Sequence, residues 1–406
     1  MALVEQPSPD LQETEAELVA TVHRFAEEVM RPAGRELDRL VDPADVIAAG
    51  SPLWDVFARY RQLGLDSLHA GIPDGDPVAQ ARLGAMVNEE LGWGDSGLAV
   101  SLAVSNFHKF FVQLSGDAEM LERYCSEGST EIGCWAVTEP DHGSDSLGFN
   151  QPHWNDAAVK ANTVARRDGD DYVIRGQKSA WVSNGTIATV ATLFCTIDGD
   201  RGFGHGGVAV VPLDLPGVSR GKPLDKLGQR ALNQGEIHFD DVRIPARNML
   251  IPPELYGFTV EGVLTLANAF MGSTFVGCAR AAYELALAYA KERVQGGVPI
   301  TDHQSVRARL FSMFARVEAA RALARRTVEI NAAQPPGLVQ HSIASKTFCT
   351  RTAFEVASDA LQMFGGNGLS REYPIEKILR DARASMIEDG CNEMLGLVGA
   401  AKLVEG

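Results

Sequence analysis

Two segments in the middle of the chain combine aromatic and hydroxyl side chains in ways that suit a ligand. Trp135-Ala-Val-Thr138 predicts a strand that runs into a tight turn with Ser144, where hydroxyls and backbone N–H groups can face a polar molecule. A Ser- or Asx-stabilised turn explains the same residues. Trp181 and Ser183 are two residues apart, which on a strand places both on one face and suits a flat heterocycle. A tryptophan in a strand is nevertheless more often part of the core.

Two further segments lie towards the C-terminus. Gln362 precedes a run of three glycines, Gly365, Gly366 and Gly368, and a plain helix C-cap explains only one of them. The acids of Ile387-Glu-Asp-Gly-Cys-Asn-Glu393 stand at the junction of two predicted helices. These four segments form the candidate site.

Other motifs in the sequence have the right spacing for a binding site, but the predicted structure around them does not fit. Gly202-Phe-Gly-His-Gly-Gly207 has the spacing of a dinucleotide-binding loop, but a predicted strand follows it instead of a helix, so we interpret it as a turn between strands. The Glu-x-x-His spacing of Glu139 and His142 lies in a proline-containing loop, and we predict no metal site. The sequence also lacks the HExxH, GxSxG and P-loop motifs, which removes the easily recognised hydrolases and nucleotidases.

The composition is that of a globular protein with several subdomains. The chain has 406 residues, 45% hydrophobic and 22% charged, which is more than one hydrophobic core usually supports. Its 37 basic and 53 acidic residues give a net charge of −16, so we expect no nucleic-acid partner and no anionic membrane surface. Six scattered cysteines without a CxxC pair fit a reducing compartment. With no leader-like start and no apolar run of about 18 residues, we expect a cytoplasmic protein.

The hydrophobic pattern predicts an α+β multidomain protein of three parts. Apolar spacing of three and four residues predicts an N-terminal helical domain over residues 1–131. Short β-rich runs between glycine turns predict a central antiparallel β domain over residues 132–245. Long helical patterns return over residues 246–406, at Leu264–Arg293, His303–Asn331 and His341–Phe364.

In this order, the four segments resemble the acyl-CoA dehydrogenase family of flavoproteins over essentially the whole chain. Asp225-Lys-Leu-Gly-Gln-Arg230, Phe239–Pro245 and Tyr289-Ala-Lys-Glu-Arg293 support the resemblance. It implies an N-terminal helical domain, a central β domain and a C-terminal four-helix bundle, with FAD held between the β domain and the bundle. It also implies a homotetramer built as a dimer of dimers.

The resemblance assigns roles to individual residues. Thr138, Trp181 and Ser183, with Trp135 in the same region, would lie against the flavin ring, and Ser144 would lie near both the flavin and the substrate thioester. The remaining cofactor contacts, partly across the dimer interface, would come from Arg293, Gln304, Gln362, Gly365, Gly366, Cys391 and Glu393. Substrate contacts would come from Ser144, Ala267, Asn268 and Gly390.

The catalytic base of the resembled family is a Glu directly before a Gly, and Asp389 has that position here. It would remove the α proton of an acyl thioester while the β hydrogen leaves as hydride to the flavin, which yields a trans-2-enoyl thioester. Burial beside an apolar acyl chain should raise the pKa of such a carboxylate. Asp is one methylene shorter than Glu, and a displacement of about 1 Å can lower the rate on the order of 100-fold. Without the resemblance, Asp389 is interpreted as the N-cap of the last helix and Gly390 as part of the turn before it.

Several positions depart from the family pattern. Ala267 stands where some branches carry the base, and Asn268 follows where an Arg often supports it. Gly296 replaces a Phe that packs on FAD, and Cys391 replaces a Thr that contacts the cofactor. These departures indicate a specialised branch.

Three functions remain open on the sequence. The leading hypothesis is FAD-dependent dehydrogenation of an acyl thioester of CoA or an acyl-carrier protein, with electrons passing to an electron-transfer flavoprotein or to oxygen. The second is a flavin oxidase or monooxygenase; nitroalkane oxidases of this superfamily use an Asp base, but Gly396 stands where they have an Arg. The third is a binding or assembly protein that has lost turnover.

Overall fold

The first third of the chain is helical. The computed structural model describes residues 13–70, 75–126 and 128–405. Ser51 and Asp76 each cap the helix that follows, and a proline opens its first turn. The helices are α1 (Glu13–Phe25), α2 (Arg31–Arg39), α3 (Pro52–Gln62), α4 (Pro77–Gly94), α5 (Ser96–Val104), α6 (Phe107–Ser115) and α7 (Ala118–Cys125).

A mostly antiparallel sheet follows. Its strands are β1 (Gly133–Ala136), β2 (Val164–Asp168), β3 (Asp171–Lys178), β4 (Val190–Ile197), β5 (Gly206–Pro212), β6 (Val218–Arg220), β7 (Ile237–Pro245) and β8 (Met249–Ile251). Their order is β6-β7-β3-β2-β4-β5-β8, with β1 also paired to β4, and β1 and β2 run parallel to β4. Every residue of β4 and β5 is buried, which places these strands at the centre of the molecule.

The glycine-rich segment before β5 is a turn. Phe203–His205 forms a short 3-10 helix after Gly202, and β5 begins directly behind it. The strand after the turn agrees with the interpretation of this segment as a connection between strands.

Long helices make up the C-terminal part. The first of them begins at Pro253 instead of the predicted Leu264, because proline suits the first turn and buried residues such as Tyr256 and Val260 continue its apolar face. A hairpin of β9 (Val294–Gln295) and β10 (Val298–Pro299) separates the first two helices. The helices are α8 (Pro253–Glu292), α9 (Gln304–Ala333), α10 (Val339–Phe364), α11 (Ile375–Ser385) and α12 (Asn392–Glu405).

Helix α8 is the centre of the helical packing. It lies against α9, α10 and α11, and α4 of the N-terminal part packs along it as well. Glycines let α4 and α8 approach closely, since a Cβ atom at Gly92 would lie 1.9 Å from the Thr274 carbonyl oxygen. In the described part of the chain, α8 alone is long and apolar enough to cross a bilayer, and 78% of its most apolar stretch is buried inside the protein.

Candidate active site

The acids Glu388 and Asp389 lie in the turn between α11 and α12. Asp389 has φ +54° and Gly390 has φ +92°, left-handed conformations that Gly and Asp accept more readily than most residues. A side chain at Gly390 would come within 2.9 Å of Leu395. Because α12 begins at Asn392, Asp389 precedes the cap position, and the plain N-cap interpretation does not describe it.

Two other parts of the protein hold this turn. Lys346 of α10 is fully buried, and its Nζ donates to the Gly390 carbonyl at 2.7 Å and to Asn392 Oδ1 at 2.8 Å. On the opposite side, the backbone N–H of Cys391 donates to Ser144 Oγ at 2.8 Å. This turn, residues 386–391, is called the base turn below, and it is fixed between α10 and the loop that follows β1.

Both acids have raised pKa values. Burial raises the pKa of Asp389 to about 6, although the Lys346 charge opposes the shift. Burial, together with the negative charge of Asp389, raises the pKa of Glu388 to about 7. The turn thus presents a carboxyl group that can both lose and accept a proton near neutral pH, as general base catalysis requires.

The aromatic and hydroxyl pair lies in a turn, and the prediction that a strand carries it is wrong. Strand β3 ends at Lys178, before Trp181 and Ser183. The side chain of Gln234 organises the turn instead, because its Nε2 donates to the Trp181 carbonyl at 3.1 Å and to Ser183 Oγ at 3.2 Å. Trp181 is 58% exposed, so it is not part of the core.

A buried ion pair stabilises the loop that carries Thr138 and Ser144. Lys178 Nζ donates to Glu139 Oε1 at 2.7 Å, and both side chains are buried. The carbonyl of Thr138 also accepts a hydrogen bond from the backbone of Ser179 at 2.9 Å. These bonds attach the loop to the end of β3.

The remaining predicted residues near the turn lie in or beside an apolar cluster. Trp135 of β1 is buried, with its ring centroid 5.3 Å from that of Phe107, and its Nε1 has no partner among the described residues. Ala267 of α8 packs on the same cluster. Its neighbour Asn268 is fully buried and donates to the Leu264 carbonyl at 2.8 Å. Glu393 is exposed in the first turn of α12.

A second group of predicted residues is exposed at the far end of α8. Tyr289 of α8 stacks on Phe364 with centroids 4.0 Å apart, which brings the glycine turn after α10 close to the end of α8. From Lys346 to Gly365 is 19 residues, or about 28 Å along α10, so this group is remote from the base turn. Its members are Arg293, Gln304, Gln362, Gly365 and Gly366.

Sequence reasoning gave no role to four residues that shape the site, Lys346, Gln234, Gln229 and Glu388. For Lys346 a signal exists, because it shares a buried helical face with Ile343, Thr350 and Ala353, where a lysine must find buried partners. The other three contact segments that are distant in sequence, and their spacing carries no comparable signal.

Comparison with known proteins identifies the family. Residues 134–242 match the description "Acyl-CoA dehydrogenase, middle domain", and residues 259–404 match "Acyl-CoA dehydrogenase, C-terminal domain". The chain is 32% identical over 350 residues to cyclohex-1-ene-1-carbonyl-CoA dehydrogenase of Syntrophus aciditrophicus, covering 85% of this chain and 81% of that protein. It is 30% identical over 406 residues to the mitochondrial short-chain specific acyl-CoA dehydrogenase of Mus musculus, covering 98% and 92%.

The fold agrees with this assignment. The three-dimensional structure of butyryl-CoA dehydrogenase from Megasphaera elsdenii is similar, with a TM-score of 0.83 at 26% identity, covering 98% of this chain and 100% of that one. The chain therefore belongs to the acyl-CoA dehydrogenase family, whose members are oxidoreductases acting on CH–CH bonds. The predicted resemblance and fold class are confirmed.

Proposed function

We propose that this protein catalyses FAD-dependent α,β-dehydrogenation of an acyl thioester, with Asp389 as the base that removes the α proton. The observation that carries the proposal is the base turn itself. Its carboxyl group is partly buried, has a pKa raised to about 6, and lies in a turn fixed by Lys346 and Ser144. A base poised near neutral pH suits abstraction of a weakly acidic proton next to a thioester carbonyl.

The residues of the chain suit FAD, which would accept the β hydrogen as hydride. The exposed ring of Trp181 beside the Ser183 hydroxyl offers a flat surface and a hydrogen bond for a heterocycle. At the far end of α8, Arg293 makes no side-chain hydrogen bond or ion pair within the described residues, so its guanidinium can bind a pyrophosphate. Gly365 has φ +59°, and no atom lies within 4 Å of the position of a Cβ there, which leaves room for a ligand.

Self-association is part of the proposal, because the base turn and the far end of α8 are about 28 Å apart along α10. We infer that Arg293 and Gln304 complete the FAD site of a second copy of this chain in a dimer or tetramer. Their exposure and lack of side-chain partners within the described chain support this arrangement.

The protein's own groups divide the remaining tasks. Lys346 holds the Gly390 carbonyl next to Asp389, while Ser144, bonded to the base turn, and Ala267, packed on the apolar cluster, would contact the thioester and the acyl chain. The net charge of −16 disfavours an acidic carrier protein, so CoA is the proposed carrier. An electron-transfer flavoprotein is the proposed electron acceptor, and the cytoplasm the proposed location.

The decisive experiment is an anaerobic visible spectrum of the FAD-loaded protein before and after addition of straight, branched and cyclic acyl-CoA thioesters. We expect one class to bleach the flavin and to yield the corresponding 2-enoyl-CoA. The matched variant Asp389→Asn should bind FAD and the thioester but leave the flavin oxidised. A normal flavin spectrum that no thioester bleaches, together with rapid oxygen consumption on a substrate without a thioester, would replace this proposal with an oxidase function.

A further inference from the structure

Glu388 contacts the side-chain amide of Gln229, and an ionised Glu388 leaves the oxygen of that amide without a hydrogen bond. Gln229 Nε2 donates to Glu388 Oε1 at 2.5 Å. The other end of that amide, Gln229 Oε1, is buried and has no hydrogen-bond partner within the described residues. A carboxylate has no hydrogen to donate, whereas a carboxylic acid has one O–H. A neutral Glu388 can therefore satisfy both ends of the amide in a ring of two hydrogen bonds.

The amide is held in place for this contact. The backbone N–H of Gln229 donates to Asp381, and its Nε2 also lies 3.3 Å from the Asp381 carbonyl oxygen. Asp381 in turn accepts a bond from Lys377 at 2.5 Å. Gln229 has φ +48° and a Cα that would lie 3.2 Å from a Cβ at Gly97, so the surrounding backbone leaves it little freedom.

Two lysines face Glu388, and in the described part of the chain both donate their hydrogen bonds to other groups instead of to its carboxyl group. Lys226, from the segment between β6 and β7, donates to the Leu232 carbonyl at 2.6 Å and to Gln234 at 2.8 Å. Lys346 of α10 is bound to the base turn backbone and to Asn392. Burial and the charge of Asp389 outweigh both lysines and the Gln229 hydrogen bond, which leaves the pKa of Glu388 above that of Asp389.

We propose that Glu388 is a neutral carboxylic acid beside the ionised Asp389, so that the two side chains hold a single proton between them. The inference rests on the proposed function, in which Asp389 is the base. When Asp389 accepts the α proton, both carboxyl groups are neutral; the pair then releases one proton to solvent, which restores the ionised Asp389 beside the neutral Glu388. One proton enters the pair from the substrate and one leaves to water, while the two electrons depart with the β hydrogen as hydride to FAD.

Glu388 acts through Asp389 and is a positioning residue. Because Glu388 stays neutral while Asp389 gains and loses the proton, the partly buried turn never has to hold a second negative charge. Coupled carboxyl groups titrate as a pair in this manner.

The first test measures the protons that the FAD-loaded protein releases when the pH is raised from about 5.5 to about 8, across the two raised pKa values. A pH indicator in weakly buffered solution records the protons. We expect the natural protein to release about one proton more than Glu388→Gln. Glu372→Gln, which removes an exposed carboxylate elsewhere, should release as many protons as the natural enzyme.

Equal proton release by the natural enzyme and Glu388→Gln would overturn the inference. The proposed function is tested separately by Asp389→Asn. If Asp389→Asn still reduces flavin at the natural rate, the base assignment fails. If Asp389→Asn is inactive but Glu388→Gln releases the natural number of protons, only the present inference fails.

A second measurement requires no change at Glu388 and no turnover. Infrared difference spectra of the natural protein and of Asp389→Asn, titrated from pH 5 to 8, report carboxylic-acid groups directly. We expect Asp389→Asn to retain one titrating carboxylic acid, with its midpoint moved to lower pH because the neighbouring charge is gone. Absence of any such group in that variant would disprove a neutral Glu388.

Discussion

Burial shifts the pKa values of two pairs of adjacent acids in this protein, and the two pairs have different surroundings. Glu89 and Glu90 of α4 contact guanidinium groups. Glu89 accepts from Arg280 at 2.9 Å and from Arg321 at 2.8 Å, and Glu90 accepts from Arg280 at 2.5 Å. Burial alone would raise the pKa of Glu89, but Arg321 and Arg280 outweigh it and hold that pKa at about 2.

In the second pair, Glu388 and Asp389, the net pKa shift has the opposite direction, and both pKa values are raised. Its nearby lysines bond to backbone and amide oxygens, so no cation contacts either carboxyl group among the described residues, and both pKa values rise. The comparison shows that burial does not decide whether an acid is structural or reactive. The placement of the nearest cation decides it, because contact with a guanidinium removes the ability to accept a proton near neutral pH.

Removing the reactive carboxylate should have the largest effect. Asp389→Asn should lower the rate of flavin reduction by about 10³- to 10⁴-fold, because no base remains to accept the α proton. Its urea stability at pH 5 should remain within about 1 kcal/mol of the natural protein. Rapid-mixing absorbance and urea titration measure the two quantities. If Asp389→Asn instead unfolds, Asp389 has a structural role like that of Glu89 and Glu90.

Breaking the structural pair should reverse this pattern. Arg280→Met leaves Glu89 and Glu90 short of a buried cation and should reduce the free energy of unfolding by about 3–5 kcal/mol. The exposed Arg309→Met is the control and should change it by less than about 0.5 kcal/mol. Urea unfolding at pH 7 measures both. A loss of activity without a loss of stability in Arg280→Met would contradict the distinction.

Loosening the reactive turn should have an intermediate effect on rate. Lys346→Met removes the bond to the Gly390 carbonyl, and a shift of the base by about 1 Å lowers the rate by about 100-fold. Because the Lys346 charge opposes the rise in the Asp389 pKa, its loss should also move the acidic limb of the kcat/KM profile to higher pH. An unchanged limb with a reduced rate would show that Lys346 supports the turn without acting on the base.

The smallest effect concerns stability and pH. The pKa of Glu388 in the folded protein, about 7, lies above its ordinary value, so its contribution to stability is present at low pH and disappears as the pH rises through 7. Glu388→Gln should therefore match the natural protein at pH 5 and exceed its stability by about 2 kcal/mol at pH 8. Urea titrations at both pH values provide the test. A difference independent of pH would show that Glu388 is ionised throughout.

Much of the architecture could be predicted from the sequence, because apolar periodicity reports directly on helices and strands. The order of helical, β and helical parts follows from it, as does the position of Asp389 between two helices. Local pattern failed at Trp181 and Ser183, where the chain leaves the sheet. Asn184 there has φ +60°, and its buried amide donates to the Ser101 carbonyl at 2.8 Å.

The contacts that tune the acids were beyond sequence reasoning for a physical reason. Gln229 reaches Glu388 across 159 positions of sequence, and Lys346 reaches Gly390 across 44. Such bonds exist only after the helices and the sheet have assembled. A sequence pattern can therefore indicate which acid is catalytic by its place in a motif, but not which cation fails to reach it.

The bond between Ser144 and the backbone of Cys391 joins positions 247 residues apart. It connects the loop of the sheet to the last turn of the helical part, so neither partner can form it alone. A contact of such long sequence separation closes a long loop, and the entropy cost of that closure must be met before the contact stabilises the fold. Helices and sheet can each be complete while the turn that carries Asp389 still lacks its final shape. Catalytic competence thus requires the sheet to be docked on the helices, beyond the formation of either part.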